Sequence, residues 1–250
     1  MNPILLIASK ESGELLLSTR GLACLLAMAV VLSGFGLLLV GDTELSLLDN
    51  AQVVYDMAGI VTALGALLAL VVGVDTVAGE RERGSLVPLL LTPVSRDSIL
   101  LGKLGGVAIA WVAMYGLAAP YLWAVGSTGQ NLVDGLAAVA LLGTPVVLGF
   151  GFLGIGLGAC LAMARTGLLI GLIALVLAAS PLLLGPSLRQ SAIGRAFDAV
   201  NPFSAAVNAY DAVIIDSVPI ATQMLNLGTT AVWLALALWF ARTSFHRVAR

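Results

Sequence analysis

Residues 22–40 form an unbroken apolar run without one charged side chain. As a helix, such a run crosses the roughly 30 Å of hydrocarbon in a bilayer, which takes about 20 apolar residues. Five further runs resemble it: 53–74, 104–125, about 136–164, about 167–185 and about 224–241. Asp56 is the only charge inside any of the six. The fourth run is long enough to be tilted or broken, and the fifth stops at Pro186. Backbone groups in lipid must be satisfied within their own element, so only helices and closed barrels span. The period-two alternation of barrel strands is absent. The expected fold is therefore all-α: a polytopic membrane protein with six transmembrane helices. Composition agrees, since 10% of the chain is charged against about 25% in ordinary soluble domains.

Charge sets the expected orientation. With the N-terminus inside, Lys10, Arg20, Arg81, Arg83, Arg96, Lys103, Arg165, Arg242, Arg247 and Arg250 share one side. Only Arg189 and Arg195 fall on the other, among Asp42, Glu44, Asp49, Asp134, Asp198, Asp211 and Asp216. The positive-inside rule then predicts a protein of the cell membrane with both termini in the cytoplasm. The first run starts at Leu22, spans in full and has no A-x-A-like cleavage site after it, unlike a secretory signal. A net charge of −2 offers no basic field to draw nucleic acid.

No long low-complexity linker divides residues 1–250, which read as one domain with three flanking features. Residues 1–21 mix apolar positions with Lys10, Glu11, Glu14 and Arg20; Ile4, Leu5, Ala8, Leu15 and Leu16 suggest one face of an interfacial elbow helix. Residues 186–221 are long for a loop and too apolar for disorder. Broken at Asn201-Pro202, they predict two short helices dipping into, or lying on, the outer membrane face. Residues 75–98 carry the densest charge.

Several chemistries find no residues here. Cys24 and Cys160 lie in apolar runs without a CxxC partner and read as buried small hydrophobes. His246, the lone histidine, reads as solvated. A single imidazole makes no metal site. Apart from Asp56 the runs hold no acidic or basic side chain, which argues against proton or ion coupling at mid-membrane. The one Gly-Lys pair, Gly102-Lys103, lacks the glycine spacing of a phosphate loop. The chain is not expected to be an enzyme, and any ATP that drives it is hydrolysed on another chain. Gly154 and Gly158 stand in GxxxG spacing, which allows close backbone approach within one subunit or between two.

The segment after the second run has a definite order of parts. The charged stretch Glu80, Arg81, Glu82, Arg83 comes first, and Gly84 can end it. Ser85 then suggests a cap for a short amphipathic helix with Leu86, Leu89 and Leu90. Pro93 ends that helix, and Ser95 suggests a cap for the next span. In full the stretch reads GERERGSLVPLLLTPVSRDSILLGK. It resembles the coupling segment of ABC-2 type transporter permeases, whose pattern runs E-x-E-x-G-[TS]-L, a leucine run, T-P-V-[SR]-R and a G-K at the next span. The elbow segment, six spans and outer helical pair resemble that family in layout.

The resemblance implies a membrane subunit of an ABC transporter, paired with a second permease copy, identical or related. It also implies two copies of a separate ATPase subunit, which hold ATP and magnesium, this chain holding no cofactor of its own. Glu80, Arg81, Glu82, Arg83 and Gly84 become the coupling residues, with Leu86 and Leu89 as anchors in the ATPase cleft. An apolar or amphipathic exported cargo suits a path of Leu, Val, Ala and Gly. The competing readings are an ATP-independent secondary transporter or channel, and a membrane anchor such as an immunity protein. A neighbouring ATPase gene separates the first reading from both.

Overall fold

The computed structural model describes residues 3–41, 50–126, 132–180 and 191–248. Among them there is helix and turn but no strand. Helix α1 (Pro3–Leu17) is separated by Ser18 from α2 (Thr19–Gly41). Ser18 Oγ accepts the N–H of Gly21 at 3.0 Å, so the bend supplies the cap for α2. Helix α3 (Asn50–Val74) continues through a π-helical segment, Asp75–Gly79, into Glu80–Glu82. A short helix α4 (Leu86–Leu90) precedes the long α5 (Arg96–Gly126). Helix α6 runs Leu132–Cys160 with a π-helical segment at Val139–Gly143. The remaining helices are α7 (Ala164–Ala179), α8 (Ala192–Val200), α9 (Pro202–Tyr210) and α10 (Met224–Val248).

Five of these are long and apolar enough to span: α2, α3, α5, α6 and α10. The sixth expected span is α7, whose 16 residues fall short of about 20. The rest of that run, 181–185, lies outside the described residues, as do Asp42, Glu44, Asp49, Arg189 and Arg250. The polytopic all-helical architecture matches the sequence.

Helix α3 is the centre of the bundle. Its span is 72% buried, against 11% for α2 and 17% for α10. Those two helices leave most of their apolar surface uncovered by the rest of the chain. The closest crossing is α3 on α6. A Cβ at Gly154 would stand 2.6 Å from the Leu70 carbonyl oxygen, and one at Gly158 2.8 Å from that of Val74. In this chain the GxxxG face lies against its own α3. Away from this crossing, Phe150 of α6 packs on Phe203 of α9 and Trp233 of α10, with ring centroids 5.7 and 5.0 Å apart.

The pair α8 and α9 divides the two placements that the sequence left open. Helix α8 is capped by Ser191 and mostly exposed. Helix α9 is buried at every position but Asn208 and sits inside the bundle. Asn201 joins the two: its Oδ1 accepts from Phe203 N at 2.8 Å, and its Nδ2 donates to the Ala178 carbonyl at 2.8 Å. Tyr210 anchors the far end of α9, with its hydroxyl 2.9 Å from that of Thr62 on α3.

Three local expectations change. Helix α1 turns Ile7, Ala8 and Glu11 towards α5, because Gly102, Gly105 and Gly106 open a groove there. Leu5, which the sequence puts on the apolar face of the interfacial helix, is left uncovered by the rest of the chain. Cys160 is exposed at the end of α6, not buried. His246 is not simply solvated, because its Nε2 meets Asp97 Oδ1 at 3.0 Å.

Candidate functional site

A π-helical segment, Asp75–Gly79, follows α3. The Glu80 N–H donates to the Val77 carbonyl, and the Thr76 carbonyl accepts from Lys103 Nζ at 2.7 Å. Single π turns of this kind are frequent at functional sites. Glu80, which follows the segment, points inward. Its Oε2 lies 2.8 Å from Lys103 Nζ, and Glu11 Oε1 lies 2.8 Å from the same nitrogen. All three ammonium protons of Lys103 thus have acceptors. The lysine is fully buried, and both carboxylates are at most 5% exposed.

The seat of α1 makes this triad possible. A Cβ at Gly102 would strike Ile7, and one at Gly106 would stand 2.7 Å from Glu11 Cβ. Without side chains at those positions the elbow comes close enough for Glu11 to reach Lys103. Burial pushes the Glu11 carboxyl above its ordinary range, and Lys103 opposes that shift. Lys10 adds a second, looser cation, 4.0 Å from Glu80 Oε1.

The next three charges tie other helices to the same point. Arg81 Nη1 donates to the Leu161 carbonyl at 2.6 Å, and Nη2 to that of Ala159 at 2.9 Å. The last carbonyls of a helix have no partner within it, and a cation there also meets the negative end of the dipole. Glu82 Oε1 accepts the N–H of Ala164, at the start of α7, at 2.9 Å. A carboxylate at a helix N-terminus is the complementary arrangement. Arg81 and Glu82 therefore hold the sharp α6–α7 turn from both sides. Arg83 pairs with Asp75 at 3.6 Å.

Gly84 then closes the turn with φ +74°. Gly84 N donates to the Arg81 carbonyl and Ser85 N to that of Glu80, the two bonds of a Schellman motif. Only glycine takes this backbone without a Cβ penalty. Ser85 does not cap α4 with its side chain; its Oγ donates back to the Glu80 carbonyl at 3.2 Å. Ser95 does cap α5, accepting from Ser98 N at 3.2 Å. Between these points stands α4.

The structure distributes the sequence-predicted residues over two surfaces. Glu80 and Leu86 face inward, at 4% and 2% exposure. Leu89 is half-buried, while Glu82, Arg83 and Gly84 are exposed. The outward apolar residues of this corner are Val87 and Leu91, at 63% and 80% exposure. Sequence reasoning missed Lys103 and Glu11 as members of the site. The signal was present, because a lysine opening an apolar span demands a named partner.

A second ion cluster stands at the start of α5. Asp97 meets His246 at 3.0 Å and Arg242 at 3.3 Å, which ties α5 to the end of α10. The site as a whole binds α1, α5, α6 and α7 to the end of α3 and leaves α4 projecting from it.

Comparison with known proteins shows the family. Residues 5–249 match the family described as ABC-2 family transporter protein. Over 124 residues the chain is 34% identical to the probable ABC transporter permease protein NosY of Stutzerimonas stutzeri, covering 48% of this chain and 45% of that protein. The chain thus matches less than half the length of this curated relative.

Proposed function

The chain belongs to the ABC-2 family of transporter proteins, and from that premise we propose that it is the permease subunit of an ABC exporter whose ATPase docks on the corner around α4. ABC transporter membrane subunits work with an ATPase partner; the docking place is our reading. The observation that carries it is the exposed pair Val87, on the short helix, and Leu91, just after it, next to four ion-paired or capping side chains. Two outward apolar residues beside the exposed Glu82 and Arg83 suit a cleft with an apolar floor and a polar rim.

The mechanism follows from the ties. ATP and magnesium sit on the ATPase, and closure of two ATPase copies displaces α4. Through Gly84 the displacement reaches the end of α3. Glu80 passes it to α5 and the elbow, Arg81 to α6 and Glu82 to α7. Nucleotide state biases the permease only insofar as it distinguishes two such arrangements in free energy. A second permease copy completes the path, the basic end faces the cytoplasm, and the complex resides in the cell membrane. The cargo is apolar or amphipathic, in keeping with spans built from Leu, Val, Ala and Gly.

The test is capture of the partner. Affinity-tagged full-length chain, solubilised in mild detergent from its own cells, is expected to bring down an ATPase subunit in near-equal amount. Val87→Asp with Leu91→Asp is expected to abolish the capture while leaving membrane abundance unchanged. Undiminished capture by the double variant would sink the docking place. Absence of any ATPase with the unaltered chain would sink the reading itself.

A further inference from the structure

A cavity of 860 Å³ opens at the basic end, between α1, the start of α2, the end of α3 and the start of α7. Its size falls within the range of ligand-binding pockets, about 300–1,000 Å³. Its lining is of two kinds. Lys10, Glu14, Asp75 and Arg83 supply charge. Leu17, Cys24, Val71, Val72, Val74 and Leu168 supply apolar surface, and the three valines among them belong to the spanning helix α3.

We propose that this cavity binds a glycerophospholipid with a primary-ammonium headgroup, from the leaflet at the basic end. The charged lining holds both signs. Lys10 and Arg83 suit a phosphate, and Glu14 and Asp75 suit an ammonium. Their contacts include loose pairs, Lys10 with Glu14 at 3.5 Å and Arg83 with Asp75 at 3.6 Å. Pairs this exposed exchange partners at little cost, so a zwitterion can insert between them and satisfy all four. A purely anionic headgroup fits worse. Glu11 and Glu80 also line the cavity, so among the described side chains carboxylates outnumber cations there even with Lys103 counted behind them. A quaternary ammonium fits worse as well, because it has no proton to donate and, among the described residues, no aromatic ring lines the cavity to form a cage for it. The proposal rests on the membrane-spanning fold and not on the ATPase docking place.

Cys24 gives a direct readout. In a Cys160→Ser variant it is the remaining cysteine of the sequence. The full chain in detergent micelles is treated with N-ethylmaleimide, with phosphatidylethanolamine, phosphatidylcholine or phosphatidylglycerol added at one mole fraction, or with soluble phosphoethanolamine. Phosphatidylethanolamine is expected to slow alkylation about tenfold more than the other two lipids, a factor worth about 1.4 kcal/mol. Soluble phosphoethanolamine is expected to have little effect. Lys10→Ala with Arg83→Ala removes the selectivity. Equal slowing by all three lipids, or protection by soluble phosphoethanolamine alone, overturns the proposal. Native mass spectrometry tests it without the cysteine: one retained phosphatidylethanolamine per chain, lost in the Lys10→Ala, Arg83→Ala variant, supports it, and no selective retention refutes it.

Discussion

Lys103 and Glu80 face each other across 2.8 Å, neither side chain more than 5% exposed. The glutamate belongs to a charged stretch that reads as a solvated turn. The lysine stands where an apolar span begins. Their meeting, completed by Glu11 from α1, turns the stretch from a surface feature into a junction of helices. Each charge from Glu80 to Arg83 contacts a group outside its own turn.

Removing Lys103 alone is expected to be severe. Lys103→Met leaves two carboxylates facing each other in a buried site, and loss of one partner from a buried pair costs about 3–5 kcal/mol. A lower midpoint in thermal unfolding of the detergent-solubilised chain measures it. The triple change Lys103→Met, Glu11→Gln, Glu80→Gln is expected to recover much of the loss, because no buried charge then lacks a partner. The defect also has a pH signature. Burial already raises Glu11, and Lys103 opposes that shift. Without the lysine the folded carboxyl rises further above its unfolded value. Its stabilising effect is then present at low pH and lost as pH rises through the folded value, so Lys103→Met is weakest at neutral pH and partly relieved by acid.

Arg81 makes a separate contribution. Its two nitrogens satisfy two carbonyls at the end of α6. Hydrogen bonds to charged groups are worth about 1.5–3 kcal/mol, so Arg81→Ala is expected to cost roughly that much in unfolding free energy. Arg81→Lys is expected to restore only part of it, because an ammonium lacks the planar fork that reaches both carbonyls. Full rescue by lysine would show that charge alone matters there.

Gly84 is a conformational requirement. Its positive φ and the two Schellman bonds leave no strain-free place for a Cβ. Gly84→Ala is expected to cost about 1 kcal/mol and Gly84→Asn less, since asparagine tolerates the left-handed region better. If α4 transmits the ATPase stroke, stimulated ATP hydrolysis in reconstituted vesicles falls in the same order. Equal activity in all three proteins would mean that the turn is not part of the path.

The backbone punctuation of this corner was legible in the sequence. Gly84 ends the charged turn, the short helix stops before Pro93, and Ser95 caps α5, each through local chemistry within a few residues. The apolar runs likewise located the long helices. The side-chain partners were not legible, for two physical reasons. Lys103 and Glu11 are 92 positions apart, and nothing local marks them as neighbours except the glycines between α1 and α5. A regular helix projected from α3 already puts Glu80 on the face of the buried Thr62, Ala69 and Gly73, but burial alone does not say which cation it meets. Helix α4 has one and a half turns, too few for its apolar pattern to decide between Leu86 and Val87 as the outward residue. The burial of α9 escaped for a similar reason, since its mixed composition resembles that of the exposed α8.

Orientation is tested at the end of the chain where α9 gives way to a π-helical segment. Asp211 is exposed there, next to the fully buried Tyr210, so its side chain is replaceable without disturbing the anchor on Thr62. In a background with Cys24→Ala and Cys160→Ser, Asp211→Cys provides one accessible thiol. The basic residues at the opposite end predict that this thiol faces away from the cytoplasm. A membrane-impermeant maleimide is then expected to label it in intact cells, or in spheroplasts where an outer barrier exists. Arg247→Cys, at the end of α10, is expected to react only after the membrane is opened. Labelling of Asp211→Cys only after lysis, with Arg247→Cys reacting before it, would invert the topology and remove α4 from the reach of a cytoplasmic ATPase.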